Sequence, residues 1–164
     1  MNAKIADVSL DHESRIQQGD HHAVRLWLRL LTCTNLTERH LRNRLRTQFN
    51  ITLPRFDLMA QLAREPKGLT MGDLSQRMMV SGGNVSGIAS QLEAEGLISR
   101  EPVLGNRRAF CVTLTFVGQQ LFSEMAEAHE GWVAECLGNL SNADCEQMMS
   151  VLKQIKTDVA SIES

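Results

Sequence analysis

The sequence predicts a mainly α-helical protein with one small β element, and three observations predict it. Apolar residues recur at three- and four-residue steps over most of the chain, the period shortens to two only between Leu97 and Leu114, and helix-capping residues and glycines punctuate the segments. The 164 residues suit a single domain spanning 1–164, and 43% hydrophobic against 22% charged residues excludes disordered, collagen-like and mucin-like classes. The longest apolar cluster, around Leu26 to Leu31, is broken by Arg29 and falls far short of the roughly 20 residues of a membrane span. Met1 to Leu10 carries Lys4 and Asp7 and no apolar signal-peptide stretch, so a cytoplasmic protein without membrane contact is expected. Cys33, Cys111, Cys136 and Cys145 show no metal-ligand spacing and read as reduced, packed thiols.

The first helix is expected from about Asp20 to Phe49, because Val24, Trp27, Leu31, Thr34, Leu41 and Leu45 keep helical spacing. Some 30 residues span roughly 45 Å, more than a domain of this size needs for its own core, which points to dimer formation. Pro54 opens a second helix at its first turn, where a missing N–H is harmless, and Pro66-Lys67-Gly68 ends it. Thr70 caps a short helix, Met71 to Met79, with Asp73 at the capping-box position. Val80 to Gly83 reads as a tight break, followed by a helix to Glu95 that carries Val85, Ile88, Ala89 and Leu92 and stops at Gly96. Helix, short glycine-bearing turn, helix is the helix-turn-helix pattern.

Leu97 to Val103 and Ala109 to Leu114 then read as two strands joined by a basic tip, Leu104 to Arg108. Thr115 caps a long helix reaching about Leu140, and Ser141 starts a last one carrying Met148, Leu152, Ile155 and Val159. A helix-turn-helix followed at once by a hairpin is a winged helix, here at about 54–114, between helices at about 20–49 and 115–162.

The net charge of -2 conceals a segregation along the chain. His21 to Phe56 holds seven arginines against Glu38 alone, whereas Thr115 to Ser164 holds Lys153 and Lys156 against eight acids. Opposite charge on long helices favours contact between them, within one chain or between two.

The stretches Leu69-Thr70-Met71-Gly72-Asp73-Leu74-Ser75-Gln76-Arg77, Gly83-Asn84-Val85-Ser86 and Leu92-Glu93-Ala94-Glu95-Gly96-Leu97-Ile98 resemble the MarR family of bacterial transcription regulators. So does Asn106-Arg107-Arg108 leading to Val112-Thr113-Leu114-Thr115 with Gly118. The resemblance covers nearly the whole chain and implies a winged helix-turn-helix with a helical dimerisation lobe, acting as a homodimer on palindromic double-stranded operator DNA. It further implies a repressor released by a small aromatic carboxylate, since Leu53-Pro54-Arg55-Phe56-Asp57 resembles members tied to aromatic-compound breakdown. No cofactor is implied.

Two departures shape the candidate site. Asn106 stands where the family's wing carries an aspartate that orients the following arginine, here Arg108, so that arginine lacks a charged partner. From Ser81 to Glu95 there is no basic residue, so base reading falls to Ser81, Asn84, Ser86, Ser90 and Gln91, of which asparagine and glutamine can pair bidentately with adenine. Arg77, Lys67, Arg100, Arg107 and Arg108 would meet phosphate. Gly82 and Gly83 read first as turn geometry, Gly83 also as a backbone contact to DNA, and Gly87 as either a weak helix position or a point of close approach. The effector candidates are His22, Arg25 and Arg29 on one side of the first helix, flanked by Leu26 and Leu36, together with Arg55, a cation at a helix start that calls for a nearby anion. A salt-bridge surface is the alternative for that helix face.

Enzyme motifs are missing: no nucleophile elbow, phosphate loop or HExxH occurs. A metal site at His21-His22 with Asp11 and His12 is unfavourable because adjacent histidines face different ways on a helix, so no metal is expected. Two rival functions stand beside the ligand-released repressor: redox sensing through Cys33 in its arginine-rich helix, and a winged helix that binds protein after losing DNA affinity.

Overall fold

A computed structural model describes residues 21–103 and 106–162. The elements follow the order α1 (His22–Phe49), α2 (Leu53–Ala63), β1 (Leu69–Thr70), α3 (Met71–Met78), α4 (Gly82–Ala94), β2 (Ile98–Val103), β3 (Asn106–Leu114), α5 (Phe116–Leu137) and α6 (Asn142–Ile162). The chain divides into two compact units, the first ending at His129 and the second beginning at Glu130. The first half of the suggested histidine site, Asp11 and His12, lies outside the described residues.

In the first unit, local chemistry fixes the helix ends. α1 stops at Asn50, which takes the left-handed conformation (φ 52°) and returns its N–H to the Leu45 carbonyl. Pro54 sits in the first turn of α2. Thr70 Oγ1 accepts from the Asp73 N–H at 3.2 Å while Asp73 accepts from the Thr70 N–H at 3.0 Å, the reciprocal box expected of that spacing.

The turn between α3 and α4 differs from the sequence reading. The residue with positive φ is Met79 (φ 54°), almost fully exposed, whereas Gly82 and Gly83 are the first two residues of α4. Ser75 Oγ donates to the Val80 carbonyl at 2.6 Å and holds this turn shut.

The three-stranded antiparallel sheet has the order β1-β3-β2. β1, two residues long and absent from the sequence reading, pairs Leu69 with Val112 and Thr70 with Cys111. β2 and β3 pair from Ile98–Leu114 to Pro102–Phe110, then shift register to Val103–Asn106. Asn106, Arg107 and Arg108 therefore belong to β3, where the sequence placed them in the loop.

A joint ties the sheet to α5. Thr115 donates its hydroxyl to the Gly96 carbonyl (2.7 Å) and accepts from the Gly118 N–H (3.0 Å). A Cβ at Gly118 would lie 1.9 Å from the Leu97 carbonyl oxygen, so only glycine permits this approach. The core runs through Leu45, Leu58, Met59, Leu74, Leu92 and Met125, all fully buried. Phe56 stacks on Phe122 (5.6 Å) and His129 (4.7 Å) at its edge.

The second unit holds the end of α5 and all of α6. Ser141 and Asp144 cap α6 reciprocally, with the Asp144 N–H donating to Ser141 Oγ at 3.2 Å and the Ser141 N–H donating to Asp144 at 3.1 Å. α6 has no buried residue. The expected packed thiols are corrected in part: Cys33 and Cys136 are exposed, and Cys111 and Cys145 half-buried. No helix among the described residues is long and apolar enough to cross a membrane.

Candidate nucleic-acid interface

α4 presents two chemically opposite sides. Val85, Ala89 and Leu92 are fully buried, while Ser81, Asn84, Ser86, Ser90 and Gln91 are all exposed, so each polar residue proposed to read bases faces outward. At 100° per residue the exposed side divides further. Gly83, Gly87 and Ala94 run along its middle, Asn84 and Gln91 along one flank, and Ser86 and Ser90 along the other. Among the described residues, a Cβ built at Gly82, Gly83 or Gly87 meets no atom beyond the helix's own backbone within 4 Å. No packing among the described residues requires these glycines, although Gly87, inside the helix, costs about 1 kcal/mol of helix stability relative to alanine. The middle of the exposed face is thus bare backbone between two polar edges.

The N-terminus of α4 is open. Its N-cap, Ser81, makes no side-chain cap bond, so the first-turn N–H groups point outward beside Asn84. Such donors suit an anion such as phosphate.

Among the cations, the structure engages two that the sequence assigned to phosphate. Arg77, on α3, pairs with Glu65 at 3.5 Å. Arg100, on β2, donates to Ser90 Oγ at 3.0 Å and its Nε lies 3.0 Å from Glu93 Oε2. Arg107 and Arg108 occupy consecutive positions of β3 at the hairpin end.

Beside the Asn84–Gln91 flank, a cleft of about 690 Å³ separates α4 from the α1–α2 corner, lined on the far side by Arg42, Thr52, Pro54 and Arg55. Arg55 is nearly buried and bonded to Glu95, the C-cap of α4, and its buried Nε has no hydrogen-bond partner among the described residues. The anion that the position of Arg55 required is therefore supplied by the protein. His22, Arg25 and Arg29 are exposed on α1 and do not join this cleft. Arg29 precedes Arg42 by about 20 Å of helix at 1.5 Å per residue.

A second cavity of about 400 Å³ is lined by Asp57, Arg64, Arg77, Met78 and His129. Burial, with the Glu38 carboxylate nearby, raises the Asp57 pKa to about 6. Burial lowers that of His129, so the imidazole stacked on Phe56 favours its neutral form. Sequence reasoning missed both groups, and it missed the partners of Arg55 and Arg100. Glu93 and Glu95 gave a usable signal, since carboxylates at the C-terminal end of a helix oppose its dipole and call for a cation from elsewhere.

Comparison with known proteins agrees with this architecture. The model of the MarR family matches residues 49–109. The activatory transcriptional protein BadR of Rhodopseudomonas palustris is 26% identical over 136 residues, 81% of this chain and 77% of that protein. A MarR family transcriptional regulator from Silicibacter pomeroyi, known as a crystal structure, is 33% identical with a TM-score of 0.74, covering 87% of this chain and 99% of that one. Sco3205 of Streptomyces coelicolor, a MarR family regulator solved in complex with DNA, shares the fold at 20% identity and a TM-score of 0.74, over 80% of this chain and 83% of its own. With one relative 33% identical along almost its full length, and the winged helix-turn-helix in place between its flanking helices, the chain belongs to the MarR family of transcriptional regulators.

Proposed function

We propose that the protein is a homodimeric, sequence-specific DNA-binding repressor whose α4 enters the major groove while the β2–β3 wing reaches the adjacent backbone or minor groove. The observation that carries this reading is α4 itself. Val85, Ala89 and Leu92 are buried and Ile88 is half-buried, and the exposed side carries neutral hydrogen-bonding groups, Asn84, Ser86, Ser90 and Gln91, on either side of Gly83 and Gly87. Asparagine and glutamine on one edge and serines on the other suit base edges, and the glycines let the helix axis approach them closely. Charge for the phosphates comes from Arg107, Arg108 and Lys67, with Arg77 in exchange between Glu65 and DNA. A relative with the same fold is solved on DNA, which supports the docking.

The exposed apolar residues of α1, among them Val24, Trp27 and Leu31, and those of α6, among them Leu152 and Val159, support a homodimer. Two α4 helices related by a two-fold axis would read a palindrome with half-sites about one turn of DNA apart.

The effector in this reading is a small aromatic carboxylate. The cleft beside α4 offers an apolar wall of Pro54, Val80 and Ile88 together with the guanidinium of Arg55, the two features such a ligand needs. Of the four residues proposed from sequence, Arg55 is the one this cleft retains.

Selection of duplexes from a random pool, followed by affinity measurement over a range of salt, tests the function. A palindromic sequence with steeply salt-dependent binding is expected; enrichment of no sequence contradicts it. Benzoate is expected to raise the melting temperature of the wild-type protein and to leave Arg55→Gln unshifted. A shift of equal size in both removes Arg55 from the effector site.

A further inference from the structure

Two ion pairs grip the end of α4 from opposite flanks. On the cleft side Arg55 of α2 holds Glu95, and on the wing side Arg100 of β2 holds Glu93 and, through a second nitrogen, Ser90. Both arginines are largely withdrawn from solvent, with side chains 11% and 20% exposed, while the two carboxylates remain about half exposed. The carboxylates stand where simple electrostatics disfavours them, at the negative end of a helix dipole and on a helix read here as facing polyanionic DNA. Their pairing with arginines from two different elements gives them a reason to be there.

The rest of α4 makes the arrangement consequential. Its first six residues include Gly82, Gly83 and Gly87, and Ser81 provides no side-chain cap, so the N-terminal half has little of its own to fix its direction. A helix of 13 residues with a soft beginning takes its orientation from its buried stripe and from its other end. The buried stripe resists sliding, while the two ion pairs on opposite flanks resist rotation about the helix axis, because turning either way stretches one of them.

We infer that Arg100 and Arg55 are positioning residues, which set the rotation of α4 through Glu93 and Glu95 and thereby determine which edge of the helix meets which base. The inference rests on the reading of α4 as the DNA-reading helix, and it gives Arg100 a role other than phosphate contact. Its guanidinium is committed to Ser90 and Glu93, so its effect on DNA is exerted through the angle at which Ser86, Ser90, Asn84 and Gln91 are offered.

The two roles for Arg100 predict opposite signs for one substitution. Removing the charge of Glu93 should strengthen DNA binding if that carboxylate merely competes with phosphate for Arg100. It should weaken specific binding if the pair orients the helix.

The experiment measures binding of the full chain, across a range of salt, to a duplex selected by the wild type and to a scrambled duplex of equal length. Glu93→Gln and Arg100→Gln are each expected to weaken the selected duplex about tenfold, within the range of coupling for residues in one network. Both should leave the scrambled duplex and the salt slope unchanged, and the double variant should be no worse than either single one. Glu95→Gln is expected to behave like Glu93→Gln. Should Glu93→Gln bind both duplexes more tightly, and Arg100→Gln lose affinity for both with a flatter slope, Arg100 is a phosphate contact and the inference is overturned. Thermal melts accompany each variant, and if Arg100→Gln does not fold, the sign of the two glutamate substitutions decides alone. A wild type that selects no sequence overturns the DNA-reading function and this inference with it. A wild type that selects one, with variants indistinguishable from it, overturns the positioning role alone.

Discussion

The segment from Leu41 to Met125 and the helix α6 treat apolar residues in opposite ways. In the first, leucines from four helices, Val112 of the sheet and Met125 of α5 are enclosed, with Leu45, Leu58, Leu74, Leu92, Val112 and Met125 fully buried. In α6, Met148, Met149, Val151, Leu152, Val159 and Ile162 are all exposed, and none of its residues is buried. The beginning of α1 resembles α6 in this respect: Val24, Leu26, Trp27, Leu31 and Leu36 face solvent, Trp27 to 60%. The same composition therefore serves two ends. The winged segment encloses most of its apolar residues, whereas α6 and the start of α1 carry apolar surface of the kind that the proposed homodimer would cover.

Substitutions that break the self-satisfied segment carry the largest effects. Gly118→Ala drives a methyl group into the Leu97 carbonyl, and because backbone cannot yield as a side chain can, a loss of about 3 kcal/mol or more is expected from chemical denaturation. Leu92→Ala leaves a cavity beneath α4 and is expected to cost about 2–5 kcal/mol, whereas Leu152→Ala on α6 should alter association with little change in the stability of the winged segment. Equal losses from the two leucines would erase the distinction between the regions.

A smaller effect comes from pH. The carboxyl of Asp57 titrates near 6 in the folded chain against 3.8 as its ordinary value, so between these values the folded protein keeps a proton that the unfolded chain has released. Stability from this group is complete below pH 3.8 and is lost as pH rises through 6. His129 runs the other way, its neutral form contributing stability that is lost as pH falls below 6.5. Asp57→Asn is expected to be more stable than wild type at pH 7 by about 1–2 kcal/mol, after allowance for partial exposure, and to differ little at pH 4. Parallel stability curves for the two proteins across that range would show that Asp57 is not strained by burial.

The smallest substitutions address the surface of α4 and the turn before it. Gly87→Ala should raise stability by about 1 kcal/mol and, if α4 docks as proposed, lower affinity for the selected duplex, since no described part of the protein meets a side chain there. Alanine that improves both would make Gly87 an unselected weakness. Met79→Gly should stabilise by a fraction of 1 kcal/mol up to about 1 kcal/mol, since glycine takes positive φ without strain.

Features encoded by near neighbours in sequence were the ones legible before the structure. Thr70 with Asp73 gave the capping box, Pro54 the start of α2, and the change of period after Gly96 the wing. Features that depend on distant residues were not. β1 is too short to show a period and exists because Val112 and Cys111 lie opposite it. The left-handed turn falls on Met79, where sequence favours glycine, because Ser75 and Val80 close around it. The charge of Arg55 and of Arg100 is visible in the sequence, but their protein partners lie 40 residues ahead and 7 to 10 residues behind, beyond the reach of a local pattern. Ser141 and Asp144 carry the same spacing as Thr70 and Asp73 and form the same reciprocal cap.

The most direct test of the claim that the outer helices encode a partner is the mass of the intact protein in solution, measured by sedimentation equilibrium over a dilution series together with the variant Trp27→Asp, Leu152→Asp. Twice 18.3 kDa down to low micromolar concentration for the wild type, and a shift toward the single chain for the variant, is the predicted result. A wild-type mass of one chain throughout, with no change on substitution, would contradict it.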